Sequence, residues 1–99
     1  MIKGTTPTHV FRLPIETSLL EKIRITYKQL GAIILEKTES SLVKTDYELR
    51  YQLTQEESLR FSTQGNVEIQ VKVLTTSGTV LASQIQSVKV DKILNTEVL

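Results

Sequence analysis

The sequence predicts an all-β domain, because apolar and polar residues alternate one for one in three separate runs. These runs are residues 23–28, 47–53 and 67–73. Successive side chains of a strand point to opposite faces, so each run describes a strand with one apolar and one polar face. The residues expected to face the core are Ile23, Ile25, Tyr27, Tyr47, Leu49, Tyr51, Leu53, Val67, Ile69, Val71 and Val73.

The remaining strands follow from shorter apolar segments and from turn signals between them. Strands are predicted at residues 9–13, 21–29, 32–38, 46–53, 66–75 and 79–90. Pro7 and Pro14 flank the first strand, and because proline cannot donate to a ladder this strand is predicted to lie at a sheet edge. Residues 16–20 are expected to form a turn or a single turn of helix. Residues 39–45 form a connection that has room for a seventh, short strand.

One short helix is predicted between Thr54 and Phe61. Thr54 can accept a hydrogen bond from the amide of Glu57, whose carboxylate can reach back to the amide of Thr54, in the arrangement called a capping box. We expect this helix to cross from one sheet to the other and to close the core with Leu59 and Phe61.

The last predicted strand changes phase along its length. Leu81 and Ile85 share one face, whereas Val88 and Val90 share the other. A bulge near Gln86 would turn both sets toward the core. Six or seven short strands with one helical crossover are typical of an immunoglobulin-like antiparallel β-sandwich, although the cysteine pair and tryptophan of true immunoglobulin domains are missing.

Length and composition predict one ordinary globular domain over residues 1–99. The chain has 39% hydrophobic and 23% charged residues, a net charge of +1 and no cysteine. Disulfides and thiolate metal sites are therefore excluded, and the charge does not favour a polyanionic partner. The first residues lack the apolar stretch of a signal peptide and no segment has the length of a membrane span, so we expect synthesis in the cytoplasm and no membrane association.

The sequence predicts no catalytic, metal-binding or cofactor-binding residue, no small-molecule substrate, and hence no enzyme. His9 is the only histidine, whereas ligands and catalytic bases occur in groups. Glu56 and Glu57 are adjacent on the predicted helix and point in different directions, which excludes a carboxylate pair. Phosphate-binding and nucleophile-elbow motifs are missing.

Residues 91–99 form an apolar tail after the last predicted strand. Ile93, Leu94, Val98 and Leu99 have no obvious place in the core. The tail either folds back on its own domain or lies on a neighbouring subunit, by strand addition or by filling a groove. Since such modules bind through edges and loops, the residues predicted to contact a partner are Thr5, Thr6, Pro7, Ile93, Leu94, Val98 and Leu99.

Several segments resemble a family of small proteins encoded by phages and prophages of Gram-positive bacteria. The similar segments are residues 1–9, 23–27, 53–57, 67–73, 81–83 and 93–95. Members of this family are uncharacterised and are encoded among virion structural genes near the tail or baseplate region. The resemblance implies a non-enzymatic virion structural or assembly protein that contacts other virion proteins or itself. It also implies a location in the host cytoplasm during assembly and then in the virion.

The sequence also leaves two other functions open. An accessory module could bind a carbohydrate or a host-surface ligand through its loops, and would need Tyr47 and Tyr51 side by side on an open face. A nucleic-acid-binding regulator could use the basic row Lys22, Arg24 and Lys28. A solvated face is favoured for this row, with Glu21, Glu48 and Glu68 available to neutralise it.

Overall fold

The computed structural model describes residues 1–99 and contains two antiparallel sheets that enclose one core. The small sheet has three strands in the order β1-β5-β4. They are β1 (Thr8–Arg12), β4 (Val43–Lys44) and β5 (Glu48–Gln52). The prediction of a short strand in the connection after residue 39 is therefore confirmed, and β4 is that strand.

The large sheet has the strand order β3-β2-β6-β7, and β8 pairs with the same edge of β6 as β7. The strands are β2 (Leu20–Gln29), β3 (Ala32–Thr38), β6 (Val67–Thr75), β7 (Val80–Ala82) and β8 (Gln86–Val88). Single 3-10 turns lie at Thr17–Leu19 and Glu39–Ser41.

The path of the chain between the sheets is that of an immunoglobulin-like sandwich. The chain runs from β1 in the small sheet to β2 and β3 in the large one, returns for β4 and β5, and crosses again to β6. The orders β1-β5-β4 and β3-β2-β6-β7 correspond to strands B-E-D and C′-C-F-G of that fold. The predicted fold class is confirmed.

The core contains fourteen buried apolar side chains, drawn from both sheets and the crossover. All the inward-facing residues of the three alternating runs are buried except Tyr47. Asp46 and Tyr47 form a bend before β5 begins, so the alternation does not extend to Tyr47, which is 50% exposed. The prediction that Tyr47 faces the core is wrong, because the side chain's orientation depends on where β5 begins to pair with its neighbouring strands.

The predicted crossover helix is α1 (Gln55–Leu59), and its capping box is present. Thr54 Oγ1 accepts from the Glu57 amide at 3.1 Å, and Glu57 Oε1 accepts from the Thr54 amide at 2.9 Å. The connection joins β5 of the small sheet to β6 of the large one. Phe61 is fully buried behind it and Leu59 is partly buried.

The prediction of one continuous strand over residues 79–90 is wrong, because two short strands, β7 and β8, occupy this segment. Val73 pairs with Leu81 whereas Ile69 pairs with Gln86, so the register shifts by one residue between β7 and β8. At the break, Ser83 donates its amide to Val71 O and accepts the Val71 amide on Oγ. The bulge lies before Gln86, and it buries Val90 but leaves Leu81 and Ile85 exposed.

The hairpin between β2 and β3 has a strained two-residue turn. Leu30 and Gly31 have φ values of 51° and 80°, and Gln29 pairs with Ala32 around them. Positive φ at both positions suits Asn-Gly, whereas a leucine in this region costs about 1–2 kcal/mol. Leu30 is also 71% exposed, so packing recovers little of that cost.

Replacing Leu30 by asparagine should raise the free energy of unfolding by about 1 kcal/mol, because asparagine tolerates the left-handed conformation. Denaturant unfolding measures the change. L30A is the matched control, since it removes the same side chain without relieving the backbone. Equal stabilities of L30N and L30A would show that the turn stores no strain.

Candidate partner-binding cleft

Three segments distant in sequence enclose a cleft of about 370 Å³. They are the loop that precedes β1, the first residue of α1 and the C-terminal tail. The lining residues are Gly4, Thr5, Thr6, Gln55, Ile93, Asn95, Glu97 and Leu99. Four of the seven predicted partner-contacting residues line this cleft, namely Thr5, Thr6, Ile93 and Leu99. We call it the terminal cleft.

Main-chain pairing between the two ends of the chain creates the terminal cleft. Ile2 and Asp91 form a parallel bridge, in which Lys3 donates to Asp91 O at 3.0 Å and Asp91 donates to Met1 O at 2.7 Å. The amino group of Met1 donates to Lys89 O at 2.9 Å. The start of the chain therefore pairs with the residues that follow β8.

The loop wall of the cleft is held by a glycine and by a buried serine. Gly4 has a φ of +80°, and a Cβ placed there would lie 3.1 Å from Leu59 Cδ2 and 3.6 Å from Ile93 Cδ1. Ser58 Oγ donates to Thr5 O at 2.6 Å, and Ser58 is fully buried. The loop is thus seated directly on α1.

The tail folds back on its own domain, yet most of its apolar side chains stay in solvent. Leu99 donates its amide to Gln55 Oε1 at 2.8 Å, and Gln55 Nε2 donates to Leu99 O at 3.1 Å. Ile93 is partly buried. Leu94 and Leu99 are each 96% exposed, and Val98 is 46% exposed. At the end of the tail, the main chain of Leu99 is therefore bonded to the domain, whereas its side chain is not packed against it.

The other predicted contact residues lie beside the cleft. Pro7 is partly buried just before β1, and its carbonyl accepts from the Leu53 amide at 2.9 Å. Leu94 and Val98 belong to the tail but do not line the cavity. The structure therefore gathers both predicted segments at one end of the sandwich, with exposed leucines next to the opening.

The two tyrosines of the ligand-binding alternative do not share an open face. Tyr51 is 9% exposed and Tyr47 is 50% exposed. The Tyr51 hydroxyl donates to Glu57 Oε1 at 2.6 Å inside the protein, whereas Tyr47 reaches toward Glu16 at the surface. The arrangement that this alternative needs is not present.

The basic row of β2 is partly neutralised, but not by the predicted glutamates. Arg24 lies 3.1 Å from Glu39 Oε2 and 3.9 Å from Glu36 Oε1. Glu48, one of the expected partners, instead contacts Arg12 and Arg50. Arg24 thus pairs with residues on and after β3, the neighbouring strand in the sheet, while Lys22 and Lys28 remain exposed.

Glu57 is the centre of a polar cluster that the sequence did not predict. Its Oε2 lies 2.5 Å from Lys37 Nζ, and its Oε1 accepts from Tyr51 and from the Thr54 amide. Burial opposes ionisation of Glu57, but the hydrogen bonds from Lys37, Tyr51 and Thr54 outweigh it and hold its pKa below the ordinary value. The carboxylate stays charged at neutral pH and fixes α1 to β3 and β5.

His9 links the two sheets rather than forming a catalytic site. Its Nδ1 lies 2.7 Å from the Tyr27 hydroxyl, and the two rings are 5.5 Å apart. Burial lowers the pKa of His9, and the positive amino terminus adds to the effect. Burial also raises the pKa of Tyr27, with the charges of Tyr51 and Glu57 contributing. Both groups are therefore uncharged at neutral pH.

A second, apolar groove of about 310 Å³ opens between the edges of the two sheets. Leu13, Pro14 and Ile15 form one wall, and Val71, Val73 and Leu81 contribute to the other. This groove lies where β1 and β7 are the outermost strands of their sheets.

The chain matches no protein-family model, no curated protein and no solved structure. The structure contains no group of three histidine, cysteine, aspartate or glutamate side chains that could hold a metal ion. None of its helices has the length and apolar character needed to cross a membrane.

Replacing Gly4 by alanine should destabilise the fold by more than the same change at Gly78. Both glycines have positive φ, but only at Gly4 does an added Cβ meet other side chains. At either site, the strained backbone of the alanine should lower the free energy of unfolding by about 1–2 kcal/mol. At Gly4 the free energy should fall further, because the added Cβ displaces Leu59 and Ile93. Denaturant unfolding compares the variants, and equal losses would show that Gly4 does not seat the cleft wall.

The stability of the protein should fall as His9 is protonated. The unfolded chain binds a proton as the pH drops below about 6.5, whereas the folded state, with its lowered His9 pKa, resists protonation. The contribution of His9 to the free energy of unfolding is therefore fully present above pH 6.5. It is lost as the pH falls toward the pKa of His9 in the folded protein.

The variant H9Q should lack this component of the decline. Since His9 is the only histidine, the difference between wild-type and H9Q unfolding curves at several pH values isolates its contribution. Parallel pH profiles for the two proteins would contradict the lowered pKa.

Proposed function

We propose that this protein is a non-enzymatic structural or assembly protein of a phage or prophage particle. It acts in the tail or baseplate region through protein-protein contacts at the terminal cleft. One observation supports this most directly: two segments about ninety residues apart meet at one end of the sandwich and leave Leu94 and Leu99 each 96% exposed beside a cavity. The resemblance of the sequence to small phage proteins supports the setting.

The composition of the cleft suits another protein better than a small polar molecule. Exposed leucines next to a cavity supply apolar area, while Thr6, Asn95 and Glu97 supply polar groups around it. Burying the side chains of Leu94 and Leu99 against a partner would contribute about 3–6 kcal/mol. Protein interfaces usually combine apolar and polar area.

The tail can also exchange its hydrogen-bond partner at little cost. The end of the tail is held by the side-chain amide of Gln55 rather than by a β-ladder. A strand of another protein could replace this amide and pair with the tail main chain, as in strand addition. The partner is another virion protein or a second copy, met in the host cytoplasm during assembly and retained in the virion.

The double variant L94S/L99S should lower incorporation of the protein into particles about tenfold or more, because it removes the exposed apolar area without touching the core. Incorporation is measured by quantifying a tagged protein in particles purified from the bacterial strain that carries the gene. Deleting residues 91–99 is a less specific test, since Asp91 bonds to Met1 and Lys3.

V43S is the matched control, because Val43 is 64% exposed but lies on β4 in the small sheet. Both variants should keep wild-type stability within about 0.5 kcal/mol, as is usual for surface changes. Absence of the wild-type protein from purified particles and assembly intermediates, or equal incorporation of all three proteins, would refute the proposal.

A further inference from the structure

β1 is the edge strand with the least protection against pairing with another strand. It pairs only with β5, its register has no shift, and its single charged residue is the last one, Arg12. Natural edges are usually protected by short length, bulges or charges. A regular five-residue edge without these features is available for pairing.

The other sheet edges are protected in these ways. β4 has two residues. The partners of β3 jump from Leu35 to Ile33, which is a bulge, and the strand carries Glu36 and Lys37. The edge formed by β7 and β8 is interrupted at the bulge after Ala82. β1 is thus the edge best suited to bind a strand.

The free main-chain groups of β1 alternate along the strand. Leu13 donates to Tyr47 O, and Pro7 O accepts from the Leu53 amide. In the antiparallel ladder, Phe11 and His9 therefore also direct their N–H and C=O groups toward β5. The N–H and C=O groups of Thr8, Val10 and Arg12 point away from β5, toward the open edge.

We propose that β1 pairs with β1 of a second copy, antiparallel, about a two-fold axis at Val10. Val10 then lies opposite Val10 of the partner subunit, and Thr8 lies opposite Arg12 of the partner subunit. Each pair exchanges two hydrogen bonds. The three-stranded small sheets of the two copies become one continuous six-stranded sheet. The inference goes beyond the proposed function, since it adds a second binding surface and names a second copy of this chain as its partner.

Chain geometry and charge favour this register. An axis at His9 would set Arg12 opposite Thr6, and an axis at Phe11 would set Thr8 opposite Pro14, both of which lie outside the strand. Moving the axis to Arg12 places two arginines directly opposite each other, which is unfavourable. Moving it to Thr8 would pair Val10 with Thr6 and Arg12 with Gly4, and these residues lie in the loop before the strand. Only the axis at Val10 uses the whole of Thr8–Arg12 in both copies.

The side chain at the two-fold axis, Val10, is also compatible with its own copy in the partner subunit. Val10 is 45% exposed and pairs across the sheet with Arg50, which in turn pairs with Val43. At the axis, two half-exposed valines become neighbours on the outer face of the joined sheet. The contact is self-complementary, as a two-fold interface requires.

Sedimentation equilibrium over a range of concentrations tests the pairing. Because a single edge buries less surface than a standard interface, we expect a reversible dimer, twice 11.2 kDa, with a Kd of about 10 µM to 1 mM. V10K should weaken association at least tenfold, since it places two ammonium groups at the axis. V43K is the matched control, with the same change on the same sheet at the opposite edge, and should alter Kd less than twofold.

A pair of variants at Thr8 tests the register itself. T8E places a carboxylate opposite Arg12 of the partner subunit twice in each dimer and should tighten Kd about threefold to tenfold, whereas T8R should weaken it by a similar factor. Added salt should reduce both effects. Thr8 is exposed, and its neighbour on β5 is the uncharged Gln52, so neither change is expected to disturb the fold.

Three outcomes would overturn the inference: a wild-type monomer at millimolar concentration, equal association of V10K and V43K, or effects of T8E and T8R in the same direction. Loss of self-association in L94S/L99S but not in V10K would also overturn it, while leaving the terminal cleft as the binding surface. Dimers that respond to V10K but are never found in particles would instead contradict the proposed function alone.

Discussion

The pairing of β2 with β6 is the constraint on which the rest of the structure depends. These strands pair in one register from Gln29, opposite Val67, to Lys22, opposite Leu74. Their register sets Ile25 against Val71 and Tyr27 against Ile69 on the face that meets the small sheet. Since a shift of one residue would turn every one of these side chains to solvent, the apolar pattern strongly favours this register.

Glu57 holds α1, one wall of the terminal cleft, against strands of both sheets. Its carboxylate caps α1, accepts from Tyr51 on β5 and pairs with Lys37 on β3. A buried carboxylate is tolerated only when it is paired and hydrogen-bonded, and no buried side-chain polar atom in the protein lacks a partner. With α1 held in this way, Ser58 and Gln55 are placed to bind the loop and the tail on either side of the cleft.

The two proposed binding surfaces have a common origin in the incomplete closure of the sandwich. Ile2 pairs in parallel with Asp91, beyond the end of β8, and the chain then enters β1 after a short loop. No strand covers the outer edge of β1. The main-chain groups at that edge and the leucines of the tail are therefore both left for contacts outside the domain.

The sequence by itself determined which residues of each strand face the core and where the crossover helix begins. Alternation and the capping box are local properties, and most of what they predicted, from Ile23 to Val73 and at Thr54, is confirmed. The predictions for Tyr47, Leu81 and Ile85 failed because strand ends and bulges depend on the partner strand. Tertiary structure alone decided that Lys37 pairs with Glu57, and that residues 4–6 meet residues 93–99. These contacts join distant segments, and their energies depend on a register and a burial that no local pattern contains.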